Sequence, residues 1–306
     1  MAEPIVFVLG AGSSKPYGLP TGYELRDLIC DTQMPLKMEV GLDSNRLARR
    51  QAHYSQFQSA FKRSRRPSID RFLQIRQEFA DIGKQAICHH INKSETQDLI
   101  EYPDDCWISW LVDRLVTKHG LALRNWPVKF VTFNYDRVLE YFLAEMYTNV
   151  NKDQFGYTLK KIYEQLEIYH VYGKLVDEPD LLNSHAPTMN FGMGSMPLPE
   201  LSGNIKVMGE ERMQNWEDGV CLPAAEIVRS ASTLIFLGFS FDETNCKAIG
   251  LGKDNELDRC INSWYSTGYG MKAREKNEAK IQTNPRIQFG DEDMSCLDFL
   301  RTFVSV

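Results

Sequence analysis

The chain has 306 residues, of which 43% are hydrophobic, enough to build one large α/β domain or a domain that carries an insert. Its formal net charge of -6 argues against a protein that coats nucleic acid with its whole surface. The N-terminus lacks a basic region before its apolar run, and no stretch approaches the roughly 18 apolar residues of a membrane span. We therefore expect a cytoplasmic protein with no membrane attachment.

The 7 cysteines are scattered along the chain, and no Cys-x-x-Cys pair occurs. This pattern predicts neither a disulfide framework nor a zinc ribbon. We expect reduced thiols and no bound metal.

The first predicted strand, 5–9, is followed by the turn GAGSS (10–14) and then by a predicted helix. The two glycines allow a tight turn and let backbone N–H groups approach a pyrophosphate at a helix N-terminus. Lys15 stands where a dinucleotide-binding turn has its third glycine, and no strand precedes Asp31, which lies at the distance of the usual ribose-binding acid. A plain connection between strand and helix is an alternative interpretation of this turn.

The segment 31–124 shows no strand pattern and is predicted to be a helical insert, so that 1–30 and 125–306 together form the α/β domain. Apolar residues recur on one helical stripe in 69–91 and again in WISWLVDRLVTK, 107–118.

A basic segment lies inside this insert, because residues 44–66 include no acidic side chain. Its basic residues are Arg46, Arg49, Arg50, Lys62, Arg63, Arg65 and Arg66. A solvated helix face, docking to an acidic partner and contact with nucleic acid are the alternatives for this segment.

Later strands are predicted at 128–132, 168–172, 234–237 and 286–289, each next to a helical pattern such as DRVLEYFLAEMY. Alternating β and α elements predict a Rossmann-like parallel sheet with helices on both faces. Residues 177–203, rich in Pro, Gly, Met and Asn, are predicted to be a long loop, either an active-site lid or a disordered segment.

Polar residues stand where three of the strands end, in FVTFNYDRVLEYF (130–142), IYHVYGKL (168–175) and LIFLGFSFDETN (234–245). Ligands of doubly wound sheets bind outside the carboxyl ends of the strands. Each residue also has a structural interpretation, since Asn134 and Asp136 precede a helix that either could cap, and His170 is typical of a hydrogen-bonded core histidine.

With GAGSS and SIDRFL (68–73), these stretches resemble the sirtuin-like family, and within it the NAD-hydrolysing effectors of bacterial anti-phage defence. The resemblance covers the α/β part of the chain. It implies that NAD is held by the first turn and by a late Gly-x-Ser, with a Thr-x-Asn-x-Asp stretch and a histidine in the catalytic pocket. The implied cofactor-binding residues are Gly10, Ala11, Gly12, Ser13, Thr132, Gly173, Gly238 and Ser240. The implied catalytic residues are Asn134, His170 and Asp136.

Three departures distinguish the chain from the protein deacylases of this family. Phe133 replaces a glutamine, GLPTGYEL (18–25) replaces an arginine-bearing loop, and the four-cysteine zinc module is absent. Deacylation is therefore the third expectation, after hydrolysis of NAD and after a sensor that binds NAD or an ADP-ribose-like nucleotide without turnover.

Hydrolysis of the nicotinamide bond makes modest chemical demands. The leaving group departs as a neutral pyridine, so the site has only to stabilise an oxocarbenium-like ribose and to present water. Asn134 is suited to orient the water or a ribose hydroxyl, His170 to accept a proton, and Asp136 to hold the loop. Because unlimited loss of NAD would kill the host, the resemblance also implies a homo-oligomer built through the insert, alone or with a partner ATPase or other defence protein.

Overall fold

The computed structural model describes residues 3–33, 44–95, 103–152, 155–175, 198–207, 210, 215–252 and 261–305. Its strands, in chain order, are β1 (Ile5–Leu9), β2 (Val128–Thr132), β3 (Glu167–His170), β4 (Trp216–Glu217), β5 (Val220–Cys221), β6 (Thr233–Leu237), β7 (Ser263–Ser266) and β8 (Gln288–Phe289). Six of them form one parallel sheet in the order β3-β2-β1-β6-β7-β8, and β4 pairs with β5 in a separate antiparallel hairpin.

β1, β2 and β6 are mostly apolar because both faces of the sheet are covered, and the exceptions are Lys129 and Thr132 in β2 and Thr233 in β6. Successive side chains of a strand point to opposite faces, and nearly every residue of β1, β2 and β6 is buried. Phe7 of β1 stacks on Phe130 of β2 with ring centroids 5.4 Å apart. The predicted Rossmann-like sheet with helices on both faces is confirmed.

The register places the ends of these strands side by side. Leu9 lies opposite Thr132 in β2 and opposite Leu237 in β6, so the turns that follow β1, β2 and β6 emerge at one edge of the sheet. Among the sheet strands the chain order is 3-2-1-4-5-6, which reverses direction between β1 and β6. Open α/β sheets bind ligands at such a reversal.

The helices are α1 (Gly22–Asp31), α2 (Ser44–Ser64), α3 (Ile69–Ile75), α4 (Ala80–Ser94), α5 (Trp107–His119), α6 (Val138–Asn151), α7 (Phe155–Gln165), α8 (Leu198–Gly203), α9 (Leu222–Arg229), α10 (Glu243–Ala248), α11 (Ala273–Gln282) and α12 (Cys296–Phe303). Within the described part of the chain, no helix is both long and apolar enough to cross a membrane.

In its described residues, 31–33, 44–95 and 103–124, the predicted insert consists of helices joined by turns and contains no strand. α2 buries one stripe, Tyr54, Phe57 and Phe61, and exposes most of its other side chains. Phe61 packs against Phe72 of α3 with centroids 4.9 Å apart. These rings join the same hydrophobic core as the central strands, so the helices of the insert pack directly on the α/β unit.

Two helix predictions need correction. The helix expected directly after the first turn begins only at Gly22, where Thr21 and Glu24 form a capping box, because Pro16 and a left-handed Gly18 (φ 83°) divide the intervening chain into short 3₁₀ turns. The stripe predicted over 69–91 is two helices, α3 and α4, because the backbone leaves helical geometry at Arg76 (φ -116°, ψ 62°).

The strand and loop predictions also differ in detail from the structure. The sequence does not predict β7, because the serines of SWYS interrupt the apolar run that is typical of a buried strand. β3 ends at His170 and β8 spans only two residues, so both are shorter than predicted. The predicted loop 177–203 is partly wrong, because Leu198–Gly203 forms α8, and 177–197 lies outside the described residues.

Glycine allows the turns after β1 and β6 to touch. The N–H of Gly12 donates to the carbonyl oxygen of Gly238 at 3.2 Å. A Cβ on Gly12 would lie 2.7 Å from the Cα of Gly238, and a Cβ on Gly238, whose φ is +58°, would lie 2.2 Å from the nitrogen of Ser13. Backbone therefore packs on backbone at the reversal point of the sheet.

We expect Gly238→Ala to lower the free energy of unfolding by about 3 kcal/mol or more, because its Cβ meets backbone that has no room to move. Urea denaturation followed by circular dichroism measures this loss. Gly22→Ala is the matched control, since its Cβ would meet only the Cβ of Ser68 at 4.0 Å. Equal unfolding midpoints for the two variants would contradict the packing described.

Candidate active site at the carboxyl edge of the sheet

Asn134 is fixed between the ends of β1 and β2. Its backbone N–H donates to Thr132 Oγ1 at 3.1 Å, and its Nδ2 donates to the carbonyl oxygen of Gly10 at 3.2 Å and to Ser14 Oγ at 3.0 Å. The Gly10 carbonyl can only accept, so the amide nitrogen must face the turn. No hydrogen bond among the described residues uses Asn134 Oδ1. The side chain is therefore held firmly while its oxygen stays available as an acceptor.

Asp136 joins the first turn to α6. Its Oδ1 accepts from Ser14 Oγ and from the N–H of Val138, both at 3.1 Å. Burial raises the pKa of Asp136 to about 7, helped by the negative charge of Glu95 and opposed by the two hydrogen bonds and by His170. This geometry supports the expectation that Asp136 holds the loop.

His170 lies at the end of β3 with both ring nitrogens engaged. Nδ1 is 2.9 Å from the main-chain oxygen of Asn134, and Nε2 is 2.8 Å from Oε1 of Glu140. The main-chain oxygen only accepts, so Nδ1 carries a proton. In this arrangement proton acceptance by His170, the role expected from the sequence, requires the ring to give up one of its partners.

The carboxyl group of Glu140 is ionised. Burial alone would raise its pKa, but the charge and hydrogen bond of His170, together with Lys174, outweigh burial and lower the pKa to about 2. An ionised carboxylate also only accepts, so Nε2 of His170 is placed to donate to it.

A second buried ion pair, between Glu95 and Arg137, adjoins Asp136. Glu95 has no exposed surface, and its Oε1 accepts from the N–H of Arg137 at 2.8 Å while Oε2 accepts from Nε at 3.1 Å. Burial raises the pKa of Glu95, and the Arg137 charge opposes this. The pair ties the residue that follows α4 to the start of α6.

The stretch SIDRFL connects the helical insert to two of the strand-end loops. Asp70 of α3 accepts from the hydroxyl of Tyr135 at 2.7 Å, and Arg71 forms an ion pair with Asp242, which caps α10. α5 adds a third contact, because Trp107 Nε1 donates to the carbonyl oxygen of Ser13 at 2.8 Å. The sequence connected SIDRFL to the site only through the family resemblance.

The expected phosphate cradle is largely occupied by the protein itself. The N–H groups of Gly10, Gly12, Ser13 and Ser14 donate to backbone oxygens at 2.9 to 3.2 Å. Only the N–H of Ala11, within the described residues of this turn, has no such bond. Since α1 also begins well beyond the turn, the structure does not provide the helix N-terminus that the sequence predicted for a pyrophosphate.

The remaining predicted residues are less closely associated with this edge. Gly173 has φ +76°, and a Cβ there would lie 2.2 Å from the carbonyl oxygen of Asn204, so backbone packing alone requires glycine. Ser240 is exposed. Lys15 forms an ion pair with Glu24, which makes it a paired surface charge.

Asp31 also has a surface partner, because its Oδ1 lies 2.9 Å from Lys62 Nζ. Lys15 and Asp31, near the start of the chain, are therefore both engaged with neighbouring helix side chains.

Aromatic rings next to Asn134 form a surface that sequence reasoning missed. Phe133 lies 5.1 Å from Phe239 and 5.8 Å from Tyr172, and Tyr172 stacks on Trp216, all between ring centroids. Phe133 and Trp216 are partly exposed, so they offer π faces to a planar ligand. The only sequence signal was the replacement of glutamine by phenylalanine at position 133.

No protein-family model matches the chain, and a search of curated proteins gave no match. Across the described residues, no group of three or more His, Cys, Asp or Glu side chains is placed to hold a metal ion.

We expect Asp136→Asn to become more stable relative to the wild type as the pH rises. Between the ordinary pKa of 3.8 and the folded value of about 7, the folded wild type binds a proton that the unfolded chain does not. The wild type therefore loses stability through this window, whereas the asparagine keeps the acceptor oxygen and does not titrate. The difference should grow by about 2.6 kcal/mol from about pH 5 to about pH 8. Urea denaturation at both pH values measures it, and a difference independent of pH would contradict the assignment.

Proposed function

We propose that this protein hydrolyses NAD to nicotinamide and ADP-ribose. The observation that best supports this proposal is the amide of Asn134, fixed between the ends of β1 and β2 at the carboxyl edge of a Rossmann-like sheet with its oxygen available. The rings of Phe133 and Trp216 beside it are suited to a planar nicotinamide or adenine. The stretches GAGSS, FVTFNYD and IYHVYG resemble those of the sirtuin-like family, and this resemblance is the reason for proposing NAD as the substrate.

The proposed chemistry needs few groups. Asn134 Oδ1 accepts a hydrogen bond from the attacking water or from a ribose hydroxyl, which orients it toward the sugar carbon. The bond from that carbon to the nicotinamide nitrogen breaks, nicotinamide leaves as a neutral ring, and the proton of the water passes to solvent. His170 donates to the main chain of Asn134 and so fixes the residue that orients the water.

Binding of NAD or an ADP-ribose-like nucleotide without turnover is the second candidate. It is favoured by the engagement of both ring nitrogens of His170, which leaves this residue with no free nitrogen to accept a proton. Incubating the purified protein with NAD separates the two functions, because hydrolysis releases nicotinamide whereas binding alone only raises the melting temperature.

The biological role that we propose is depletion of NAD as an effector of bacterial anti-phage defence in the cytoplasm. This role rests on the family resemblance. It requires control of the activity, and we propose that assembly through the helical insert, alone or with a partner ATPase, provides it.

We expect Asn134→Ala and Asn134→Asp each to reduce nicotinamide release by about a hundredfold or more, because alanine removes the amide and aspartate sets an acceptor oxygen against the Gly10 carbonyl, to which Nδ2 donates. Chromatographic detection of nicotinamide measures the rate, and calorimetry with ADP-ribose checks that binding survives. Asn125→Ala, at an exposed position, is the control. Near-wild-type turnover in either Asn134 variant would rule out the proposed mechanism.

We expect reversal of Arg63, Arg65 and Arg66 to Glu to impair assembly while the affinity for NAD stays unchanged. These side chains are exposed at and just beyond the end of α2, and among the described residues no hydrogen bond or ion pair joins them to Asn134 or His170. Size-exclusion chromatography with light scattering measures the oligomeric state. Reversal of Lys272 and Arg274, exposed cations at the start of α11, is the matched control. A wild-type monomer with full turnover would refute assembly as the control.

A further inference from the structure

Glu140, in the first turn of α6, is a buried charge that the proposed chemistry does not use. Its side chain is 1% exposed. Oε1 lies 2.8 Å from His170 Nε2 and 3.4 Å from Lys174 Nζ. Oε2 is buried and has no hydrogen bond to any part of the chain that the structure describes.

A buried carboxylate with one oxygen that accepts no hydrogen bond lowers the stability of the folded protein. Desolvation of a charge opposes folding, and a well-packed apolar residue of similar volume is often as good for stability as a buried ion pair. The pairing with His170 and Lys174 offsets part of this cost, yet Oε2 remains without a donor. The arrangement therefore favours a role for the charge beyond stability.

The negative charge of Glu140 faces Nε2 of His170, and Nδ1 of the same ring bonds to the main-chain oxygen of Asn134. A ring with a proton only on Nε2 would direct the lone pair of Nδ1 at the main-chain oxygen of Asn134, and the two would repel. The carboxylate of Glu140 favours a ring protonated on both nitrogens, which gives a charge-assisted bond to that oxygen. The other charged groups around the pair are Lys174, Asp136 and the Glu95–Arg137 ion pair.

We propose that Glu140 is a positioning residue of the candidate site. Its carboxylate holds His170 as a donor at both ring nitrogens, and His170 in turn fixes the main chain of Asn134 so that Oδ1 keeps its orientation. This proposal rests on the proposed hydrolysis of NAD, since Asn134 is the residue being positioned.

The test compares Glu140→Gln with Glu140→Asp. Glutamine keeps the shape and one hydrogen bond but removes the charge, whereas aspartate keeps the charge on a shorter side chain. We expect glutamine to lower kcat for nicotinamide release by about tenfold or more and to change KM for NAD by less than about twofold. Aspartate should restore part of the lost kcat. Glu164→Gln, an exposed carboxyl on α7, is the matched control.

Nitrogen NMR of protein labelled at the histidine rings gives a readout that does not need turnover. The His170 signals are assigned by their absence from a His170→Asn sample. We expect two protonated ring nitrogens on His170 at neutral pH in the wild type and one in Glu140→Gln.

The two measurements separate the two proposals. A single protonated nitrogen in the wild type, or two in Glu140→Gln, would overturn the role of Glu140 whatever the kinetics, and the wild-type spectrum decides this even if the glutamine variant does not fold. Unchanged kcat in a folded Glu140→Gln would also overturn it. Two protonated nitrogens without nicotinamide release from the wild type would support the Glu140–His170 pairing and refute the hydrolase.

Discussion

The contact between Gly12 and Gly238 determines where the rest of the site lies. With no side chain on either residue, the turns after β1 and β6 approach to backbone distance, and the N–H groups of Gly10 and Gly12 donate across this contact to the carbonyl oxygens of Leu237 and Gly238. The turn then presents the carbonyl oxygen of Gly10 and the hydroxyl of Ser14 to the neighbouring strand end. Asn134 bonds to both, so its orientation follows from the packing of two glycines.

Side chains of types that are seldom buried lie at this edge of the sheet. Glu95, Asp136, Arg137 and Glu140 are all nearly inaccessible to solvent, and each has a partner of opposite charge or a hydrogen-bond donor. In such surroundings a hydrogen bond is stronger than in water, and an unpaired group is more costly. The network is therefore rigid when complete and sensitive to the loss of any member.

The sequence predicted the fold well because parallel strands buried on both faces have an unmistakable apolar pattern. β1 and β2 agree with their predicted bounds, and β7 escaped notice because its serines interrupt that pattern. Gathering Gly10, Thr132, Asn134 and Gly238 at one edge followed from the topology of a parallel sheet.

Which side chains form hydrogen bonds or ion pairs with one another could not be predicted from the sequence. Nothing in the pattern of residues shows that Glu140, six positions after Asn134, turns back along α6 to reach His170. Nor does it show that most N–H groups of GAGSS donate hydrogen bonds to backbone oxygens of the protein itself. Such contacts depend on side-chain direction and on residues distant in the chain, and only the packed structure reveals them.

The bonds from α3 have a consequence for how the protein is made. Asp70 reaches Tyr135 and Arg71 reaches Asp242, across separations of 65 and 171 residues, and β1 pairs with β6 across most of the chain. Contacts of such long range form late, because closing a long loop costs conformational entropy before the contacts at its ends stabilise the chain. During synthesis a ribosome-bound fragment that stops before residue 238 lacks the turn that packs against Gly12. The carboxyl edge of the sheet is therefore complete only after β6 and the turn after it have emerged and joined the sheet.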